Sequence, residues 1–584
     1  MANERLSGIF SHLKPTIYTS DAEPRDNAPR SEYKILEQPL GSTRPLRIIG
    51  IGAGASGLNM IRTLRKHLTD YEHVVYEKNP AIGGTWYENR YPGCACDVPS
   101  HNYQFSWRPN PEWTSFFSPS AEIQQYLASL CEEESMSPAI KLEHRVVGVQ
   151  WDDDRGVWNV KVENMQSGEI IDDYCHFLLD GSGILNNWKW PEIPGLFEFR
   201  GELVHSANWA DDFKYEGKKV AVIGNGSSGV QIVPAMQPSV HHLFHFIRSP
   251  TWLSPSRRDI MGSELENIQI DSNGKFTPQQ IEKFRSDPVL YRRFVKAMEV
   301  RVNGNFPIVI NGSPVSEMAN QVLQDHMRNA LKNDEQLCKA LIPSFPVGCR
   351  RLTPGVGYLP SLTEANVTVV TDRIERVVQQ GVQLSNGEII EVDAIVCASG
   401  FDVSFRPRFP IIGKTGNLQD LWSQQLPEAY MSCAVPGFPN YFMFLGPGAP
   451  IGHGSVFTIS EHIAKYVTRV IIKCQTERIR AITVSKSATA EFNEHLQTFM
   501  PKTVYTGSCR SWYKNNTVDG PVIALHPGSR IHFFHMLQEL RGEDWEYDYL
   551  DRSPNRFAYL GNGFSTKELG DQDSTWYLDS PDDL

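Results

Sequence analysis

The sequence predicts an α/β fold in which one supersecondary unit, a strand followed by a glycine turn and a helix, occurs twice. The apolar segment 46–51 runs into the glycine turn 52–57, and the apolar residues after the turn have helical spacing. The same order recurs at segment 219–223 and glycine turn 224–229. The chain has 584 residues, 40% hydrophobic and 21% charged, which is typical of a globular protein with two or three domains.

Both glycine turns have the spacing G-x-G-x-x-G, which is typical of Rossmann-like dinucleotide-binding domains. The first glycine permits the tight turn, the second lets the backbone approach a pyrophosphate, and the third allows close packing of helix on strand. The N-terminus of the following helix offers N–H groups to the phosphates. The predicted cofactor-binding residues of the two turns are Gly52, Gly54, Ser56 and Gly57, and Gly224, Gly226, Ser227, Ser228 and Gly229.

The residue that ends the second strand of each unit predicts which dinucleotide binds there. Glu77 ends this strand in the first unit, where a carboxylate accepts from ribose hydroxyls and repels a 2′-phosphate, so the first site suits FAD. Arg248, followed by Ser249, takes the same position in the second unit and matches a 2′-phosphate, which favours NADPH over NADH. Two such sites in one chain predict a flavoprotein that takes hydride from NADPH.

The domain order follows from the repeated unit and from the stretches between its copies. Residues 1–45 are polar and predict an extended leader. We expect an FAD-binding domain from residues 46–185 and 385–584, interrupted by an NADP-binding domain at 186–384. Within the second domain, residues 259–345 are polar without strand-like alternation and predict a helical insertion.

The net charge and the cysteines limit which partners, cellular location and metal sites are expected. The formal net charge of −12 argues against nucleic acid and anionic membranes as partners. The ten cysteines are dispersed without a C-x-x-C pair, which predicts reduced thiols, a cytoplasmic location and no metal site. The charge-free run 429–460 is long enough to span a bilayer, but its prolines and glycines exclude a continuous helix, so no integral membrane segment is expected.

Three motifs outside the glycine turns are similar to those of a known family. Segment 83–97, GGTWYENRYPGCACD, matches the signature of the Baeyer–Villiger monooxygenases at every fixed position. Segment 199–209, FRGELVHSANW, resembles that family's second fingerprint, and Ala210 departs from it. Segment 393–401 resembles a stretch near the flavin, with Ser399 in place of Thr. The similarity runs from about residue 46 to residue 530, and residues 1–45 resemble the extension of fungal members.

The resemblance implies an FAD- and NADPH-dependent monooxygenase. Its partners would be O2 and a small-molecule ketone, converted to an ester or lactone through a C4a-peroxyflavin. It implies Arg351 as the catalytic arginine with Asp97 as its partner, Arg350 near the 2′-phosphate, Trp512 as a mobile-loop residue that closes over NADP, and His205 in a conformational role. Further cofactor-binding residues implied in this way are Gly84, Thr85, Trp86, Asp97, Val98, Tyr103 and Val146.

Three other functions compete with this interpretation. An N- or S-hydroxylating flavin-containing monooxygenase would use a protonated hydroperoxide instead of the anion. An NADPH–disulfide reductase would need a paired-cysteine relay, and the missing C-x-x-C argues against it. A non-catalytic flavoprotein would bind the nucleotides without consuming oxygen.

Overall fold

The computed structural model describes residues 33–255, 268–271, 273–550, 555–570 and 573–579. They fall into two compact units, a larger one within Gly41–Arg552 and a smaller one formed from the segments near the two chain ends. In the smaller unit the backbone of Leu40 forms hydrogen bonds with Phe564 (2.7 Å) and Thr566 (2.9 Å). Residues 1–32 of the predicted leader lie outside the described residues.

The strands and helices of the larger unit are as follows. The strands are β1 (Leu46–Ile51), β2 (Tyr71–Tyr76), β3 (Ile140–Lys141), β4 (His144–Asp152), β5 (Val157–Asn164), β6 (Ile170–Cys175), β7 (Phe177–Asp180), β8 (Glu202–His205), β9 (Lys219–Ile223), β10 (His242–Phe246), β11 (Leu253–Ser254), β12 (Thr353–Pro354), β13 (Val367–Val370), β14 (Ile374–Val378), β15 (Gly381–Leu384), β16 (Ile389–Glu391), β17 (Ala394–Cys397), β18 (Ile411–Gly413), β19 (Gly416–Asn417), β20 (Tyr441–Met443), β21 (Ile479–Val484) and β22 (Trp545–Tyr549). The α-helices are α1 (Ala55–His67), α2 (Thr85–Glu88), α3 (Ser120–Glu133), α4 (Ser227–Met236), α5 (Pro278–Ser286), α6 (Pro288–Gly304), α7 (Pro314–Ala330), α8 (Glu335–Leu341), α9 (Tyr358–Ser361), α10 (Leu418–Gln424), α11 (Val456–Thr476), α12 (Lys486–Phe499) and α13 (Arg530–Met536). None of the helices in the described stretches is both long enough and apolar enough to cross a bilayer.

The first nucleotide unit is a five-stranded parallel sheet in the order β20-β7-β1-β2-β3. Strand β1 lies in the middle and is buried along almost its whole length, because α1 and α11 cover one face of the sheet and strands β4 and β5 cover the other. Helices α1 and α11 share one apolar core with β1 and β7, through residues such as Met60, Leu64, Ile463 and Phe177. The glycine turn after β1 therefore opens at the carboxyl edge of the sheet, where ligands of such folds bind.

The second nucleotide unit is also a parallel five-stranded sheet, in the order β13-β10-β9-β17-β8. The sequence predicts that the chain returns to the first unit at residue 385, and for segment 389–397 this prediction is wrong. The segment divides into β16 and β17, and β17 lies between β9 and β8, with Ala394 opposite both Val220 and Glu202. A short, fully buried Ala-Ile-Val-Cys strand fits the middle of either parallel sheet, so its composition does not say which sheet it joins.

The insertion between β11 and β12 is mainly helical from Pro278 to Leu341. Its described residues before Pro278 form isolated β-bridges instead, Ile270 with Phe276 and Lys275 with Ser115. Residues 256–267 and 272 lie outside the described residues. Thr277, Asp287 and Ser313 cap α5, α6 and α7 with side-chain oxygens, and a proline follows each cap. Phe284, Tyr291 and Phe294 of this insertion surround the buried His101 ring, with ring centroids 5.0–5.5 Å away. These contacts anchor the insertion to the loop that follows Asp97.

Candidate active site

The first glycine turn has the geometry that a dinucleotide requires. Gly52 adopts φ +92°, a left-handed conformation that favours glycine. A Cβ on Gly57 would lie 2.0 Å from the Gly52 carbonyl oxygen, so only glycine allows α1 to approach β1 this closely. The second turn repeats both features, since Gly224 has φ +109° and a Cβ on Gly229 would lie 2.0 Å from the Gly224 oxygen.

The N-termini of α1 and α4 differ from those of most later helices. Their N-cap residues, Gly54 and Gly226, provide no side-chain hydrogen bond to the first backbone N–H groups. By contrast, a side-chain oxygen caps the eight helices α5, α6, α7, α8, α10, α11, α12 and α13. The N–H groups of Ser56, Gly57 and Ser228 near these two helix starts are therefore free of side-chain caps and fit a pyrophosphate.

The two strand-end residues lie where the sequence predicts them, with opposite charge. Glu77 is buried, and its two carboxylate oxygens accept from the backbone N–H groups of Ala53 (2.8 Å) and Asn79 (2.9 Å). Burial raises the pKa of Glu77 despite these bonds. Each oxygen keeps a lone pair that can accept from a ribose hydroxyl. Arg248 follows β10 with part of its side chain accessible, and the carbonyl of the adjacent Ser249 accepts from Asn225 (2.9 Å).

Three arginines gather beside the second glycine turn. Partial burial lowers the pKa of Arg248, and the nearby charge of Arg510 lowers it further. Burial likewise lowers the pKa of Arg350, as does the charge of Arg248, while its Nη1 donates to the Pro250 carbonyl at 2.9 Å. Within the described stretches none of the three forms an ion pair with a carboxylate. Clustered positive charge without a protein counter-ion suits a phosphate group.

The Trp-containing motif after β2 closes over the first turn. Gly84 faces Gly54 so closely that a Cβ on Gly54 would lie 3.6 Å from the Gly84 Cα. Helix α2 begins at Thr85, and the Trp86 ring meets Tyr103 edge-on at 5.4 Å. Tyr103 in turn packs against Phe457 at 4.6 Å. The motif thus forms one wall of the space in front of the first turn.

Val98 and Val146 are buried, with 8% and 5% of their surface exposed. Val146 lies on β4 and packs in the core with Ile51 and Tyr76. The contact of these two residues with a cofactor stays a prediction.

Asp97 and Arg351, 254 residues apart, form a bidentate ion pair. Arg351 Nε donates to Asp97 Oδ2 at 2.5 Å and its Nη2 donates to Oδ1 at 2.6 Å. Nη1 donates to the Ile451 carbonyl at 3.2 Å, which ties the pair to the Gly/Pro-rich segment 446–454. Burial disfavours the charge, but the Asp97 carboxylate outweighs it and raises the pKa of Arg351. The guanidinium is permanently charged and fixed in direction, with 30% of the side chain accessible.

His205 lies at the end of β8 and joins two segments of the second sheet. Its Nδ1 accepts from the Ala207 N–H at 3.1 Å, so its Nε2 carries the proton and donates to Ser399 Oγ at 3.1 Å. The ring stacks on Trp188 at 4.6 Å. Burial lowers the pKa of His205 to about 4, so it is neutral near pH 7. This neutral, stacked ring fits a structural link better than proton transfer.

Known proteins resemble this chain over most of its length. The domain family described as an NAD(P)-binding Rossmann-like domain matches residues 51–119. The FAD-binding monooxygenase tazF of Aspergillus terreus is 38% identical over 560 residues, which are 95% of this chain and 98% of that protein. A Baeyer–Villiger monooxygenase of Pseudomonas aeruginosa is 32% identical over 508 residues, 86% of this chain and 92% of that protein. The chain belongs to the Baeyer–Villiger-type family of flavoprotein monooxygenases.

A solved structure shares the fold of this flavoprotein monooxygenase. Cyclohexanone monooxygenase from Rhodococcus sp. Phi1, bound to NADP+, superposes with a TM-score of 0.72 at 24% identity. The matched region covers 87% of this chain and 100% of the cyclohexanone monooxygenase chain. The cofactors of the monooxygenase are FAD and NADP. The two uncapped helix N-termini fit their pyrophosphates, and the charges of Glu77 and Arg248 assign FAD to the first turn and NADP to the second as a prediction.

Trp512 lies on a loop of the monooxygenase that approaches Arg351. Its ring packs on Tyr513 at 4.7 Å and lines a small apolar recess with Leu185 and Phe405. Tyr513 is buried against the Arg351 guanidinium, and burial raises the pKa of its hydroxyl to about 12, although the Arg351 charge opposes this. The role of Trp512 over NADP stays a prediction, while its place beside the arginine segment is a feature of the structure.

The sequence interpretation missed one covalent link and two loop residues. Cys349 and Cys509 form a disulfide, so the expectation that all thiols are reduced is wrong; the other eight cysteines are free. The pair is separated by 160 residues and has no motif, so no spacing signal could reveal it. Arg510 and Tyr513, two residues before and one residue after Trp512, belong to no motif that would indicate their contacts. No group of three or more metal-binding side chains occurs among the described residues.

Proposed function

We propose that this flavoprotein monooxygenase is an NADPH-dependent Baeyer–Villiger enzyme that inserts one atom of O2 beside a ketone carbonyl to give an ester or lactone. The name of the Pseudomonas aeruginosa relative and the cyclohexanone monooxygenase fold support this chemistry. The observation that carries the proposal is the Asp97–Arg351 pair, because it places a fixed cation between the two nucleotide units.

The geometry of Arg351 fits the electrostatic demand of the reaction. A guanidinium has five N–H donors, and the bonds to Asp97 and Ile451 engage three of them. The other donors, on the two Nη atoms, are left for Tyr513 and for a substrate oxygen. Charge develops on the former carbonyl oxygen of the ketone, and donors already fixed in place stabilise it without reorganisation. Asp97 supplies this fixation, because its bidentate contact removes the rotational freedom of the guanidinium.

The nucleotide sites supply the rest of the chemistry. FAD, when bound, provides the reduced flavin that activates O2. The arginines Arg248, Arg350 and Arg510 provide a site for the 2′-phosphate that distinguishes NADPH from NADH. The loop with Trp512 and Tyr513 packs Tyr513 against Arg351 and reduces the access of water to the guanidinium, although 30% of the Arg351 side chain stays accessible.

Isotope labelling of the product tests the proposed reaction. Purified enzyme with FAD, NADPH and a panel of cyclic and linear ketones under ¹⁸O2 should give esters or lactones that carry a single labelled oxygen. The measurement is product mass, with a panel of sulfides and amines in parallel. Unlabelled ester, or oxygenation confined to sulfur and nitrogen, would refute the Baeyer–Villiger assignment.

Replacing Arg248 by alanine should weaken the binding of NADPH and leave the binding of NADH nearly unchanged. A charge-assisted hydrogen bond contributes about 1.5–3 kcal/mol, so we expect KM for NADPH to rise about 10- to 100-fold. Steady-state rates with each cofactor measure this. Arg376→Ala is the matched control, since Arg376 is an exposed arginine of the same unit that pairs with Glu198 at 3.0 Å. Equal losses with NADPH and NADH would contradict a 2′-phosphate contact.

A further inference from the structure

The disulfide joins two segments that the proposed reaction uses. Cys349 comes two residues before Arg351, and Cys509 comes three residues before Trp512. Their Cα atoms are 6.3 Å apart, and 0% and 2% of the two residues is exposed. The cross-link therefore holds the segment of the arginine and the segment of the loop at a fixed separation inside the protein.

The loop 507–518 is a compact body. Lys514, almost fully buried, donates from Nζ to the carbonyl oxygens of Gly507 (2.6 Å) and Val518, at the two ends of the loop. The backbone N–H of Ser511 also bonds across the loop to the Thr517 carbonyl at 3.3 Å. These bonds brace the loop internally, so a tether at one point restrains all of it.

The loop 507–518 lies near both the Asp97–Arg351 ion pair and Arg248 of the second nucleotide unit. Tyr513 lies against the Arg351 guanidinium, and Arg510 lies near Arg248. A displacement of the loop would move Tyr513 and the Trp512 ring away from Arg351, and Arg510 away from Arg248, at the same time. Cys509, next to Arg510, is the only residue of the loop that is covalently attached to the arginine segment within the described residues.

We propose that Cys349 and Cys509 are positioning residues whose disulfide holds the loop 507–518 against Arg351. The consequence for turnover rests on the proposed function, whereas the attachment of the loop does not. Reduction by a dithiol breaks the S–S bond and forms two S–H bonds. The two electrons and two protons come from the reagent, which becomes a cyclic disulfide. The loop then keeps only its non-covalent contacts, water enters beside Arg351, and reducing equivalents are lost to hydrogen peroxide.

Thiol counting and hydrogen exchange on the FAD-bound enzyme test the attachment. Alkylation after unfolding should modify eight cysteines without reductant and ten after reduction, as the eight free thiols and one disulfide require. Treatment of the folded enzyme with dithiothreitol should speed amide exchange in residues 507–518 about tenfold or more. Ten alkylated cysteines at the outset, or exchange that dithiothreitol leaves unchanged, would overturn the proposal.

Alanine variants separate positioning from general stability. The double variant Cys349→Ala/Cys509→Ala should exchange rapidly in the loop with or without dithiothreitol, and should release about threefold or more hydrogen peroxide per NADPH. Cys474→Ala, which removes a buried free thiol of α11, is the control and should match the unaltered enzyme. An unchanged peroxide fraction in the double variant would refute positioning. Failure of the unaltered enzyme to oxygenate any ketone would defeat the proposed function and leave the exchange result to decide this inference.

Discussion

Replacing Arg351 by alanine should lower ketone oxygenation about 10²- to 10³-fold or more, which is the usual cost of removing one fixed donor to a developing oxyanion. Reduction of the flavin by NADPH should continue, because the glycine turns and Arg248 are untouched. Product formation by gas chromatography and anaerobic stopped-flow reduction of the flavin measure the two steps separately. The variant should therefore consume NADPH and release hydrogen peroxide in place of ester.

Two companion variants define what the Arg351 result means. Arg351→Lys keeps the charge and a contact with Asp97, but an ammonium cannot reproduce the bidentate geometry, so ketone oxygenation should still fall steeply. Arg350→Ala, one residue away, should raise KM for NADPH and keep kcat. Sulfide oxidation that survives in Arg351→Ala would assign the arginine to the ketone step. Full ketone activity in Arg351→Ala would refute its catalytic role.

The nucleotide-binding parts of the molecule could be predicted from sequence because their determinants are local. A G-x-G-x-x-G turn, the strand before it and the helix after it fit within about 20 residues, and Gly57 and Gly229 have the close contacts that the spacing requires. Glu77 and Arg248 follow from the same local order, since each ends the next strand of its unit. The order of strand, turn and helix at such a site depends little on the rest of the chain.

Features that depend on contacts between distant segments were not predictable in this way. The Asp97–Arg351 pair spans 254 residues and was expected only through the family resemblance. Strand β17 was assigned to the wrong sheet because its buried apolar sequence suits either one. The Cys349–Cys509 bond and the meeting of Arg248 with Arg510 arise only when the loop folds onto the second unit. The residues next to them in the sequence contain no pattern that indicates these contacts.

Replacing Asp97 by asparagine should reduce both stability and catalysis, because it leaves the Arg351 charge without its counter-ion. Breaking one side of a buried ion pair costs about 3–5 kcal/mol. We expect about 3 kcal/mol here, at the lower end of that range, since 30% of the Arg351 side chain is accessible. Urea unfolding measures this loss. Ketone oxygenation should fall about 100-fold, because the guanidinium turns away from the position that the bidentate contact fixes.

A second ion pair of similar burial separates these two effects. Asp173 bonds Arg47 at 2.8 Å, with side-chain exposures of 12% and 25%, close to the 16% and 30% of Asp97 and Arg351. It joins β6 to β1 in the sheet region, and neither partner belongs to the candidate active site. Arg47 also pairs with the exposed Glu72 at 2.5 Å, so Asp173→Asn should lose at most the stability that Asp97→Asn loses, and should keep the rate of ketone oxygenation. If both variants lose ketone oxygenation in proportion to their loss of stability, Asp97 has only a structural role. If only Asp97→Asn loses ketone oxygenation, catalysis requires the direction in which Asp97 holds the Arg351 guanidinium.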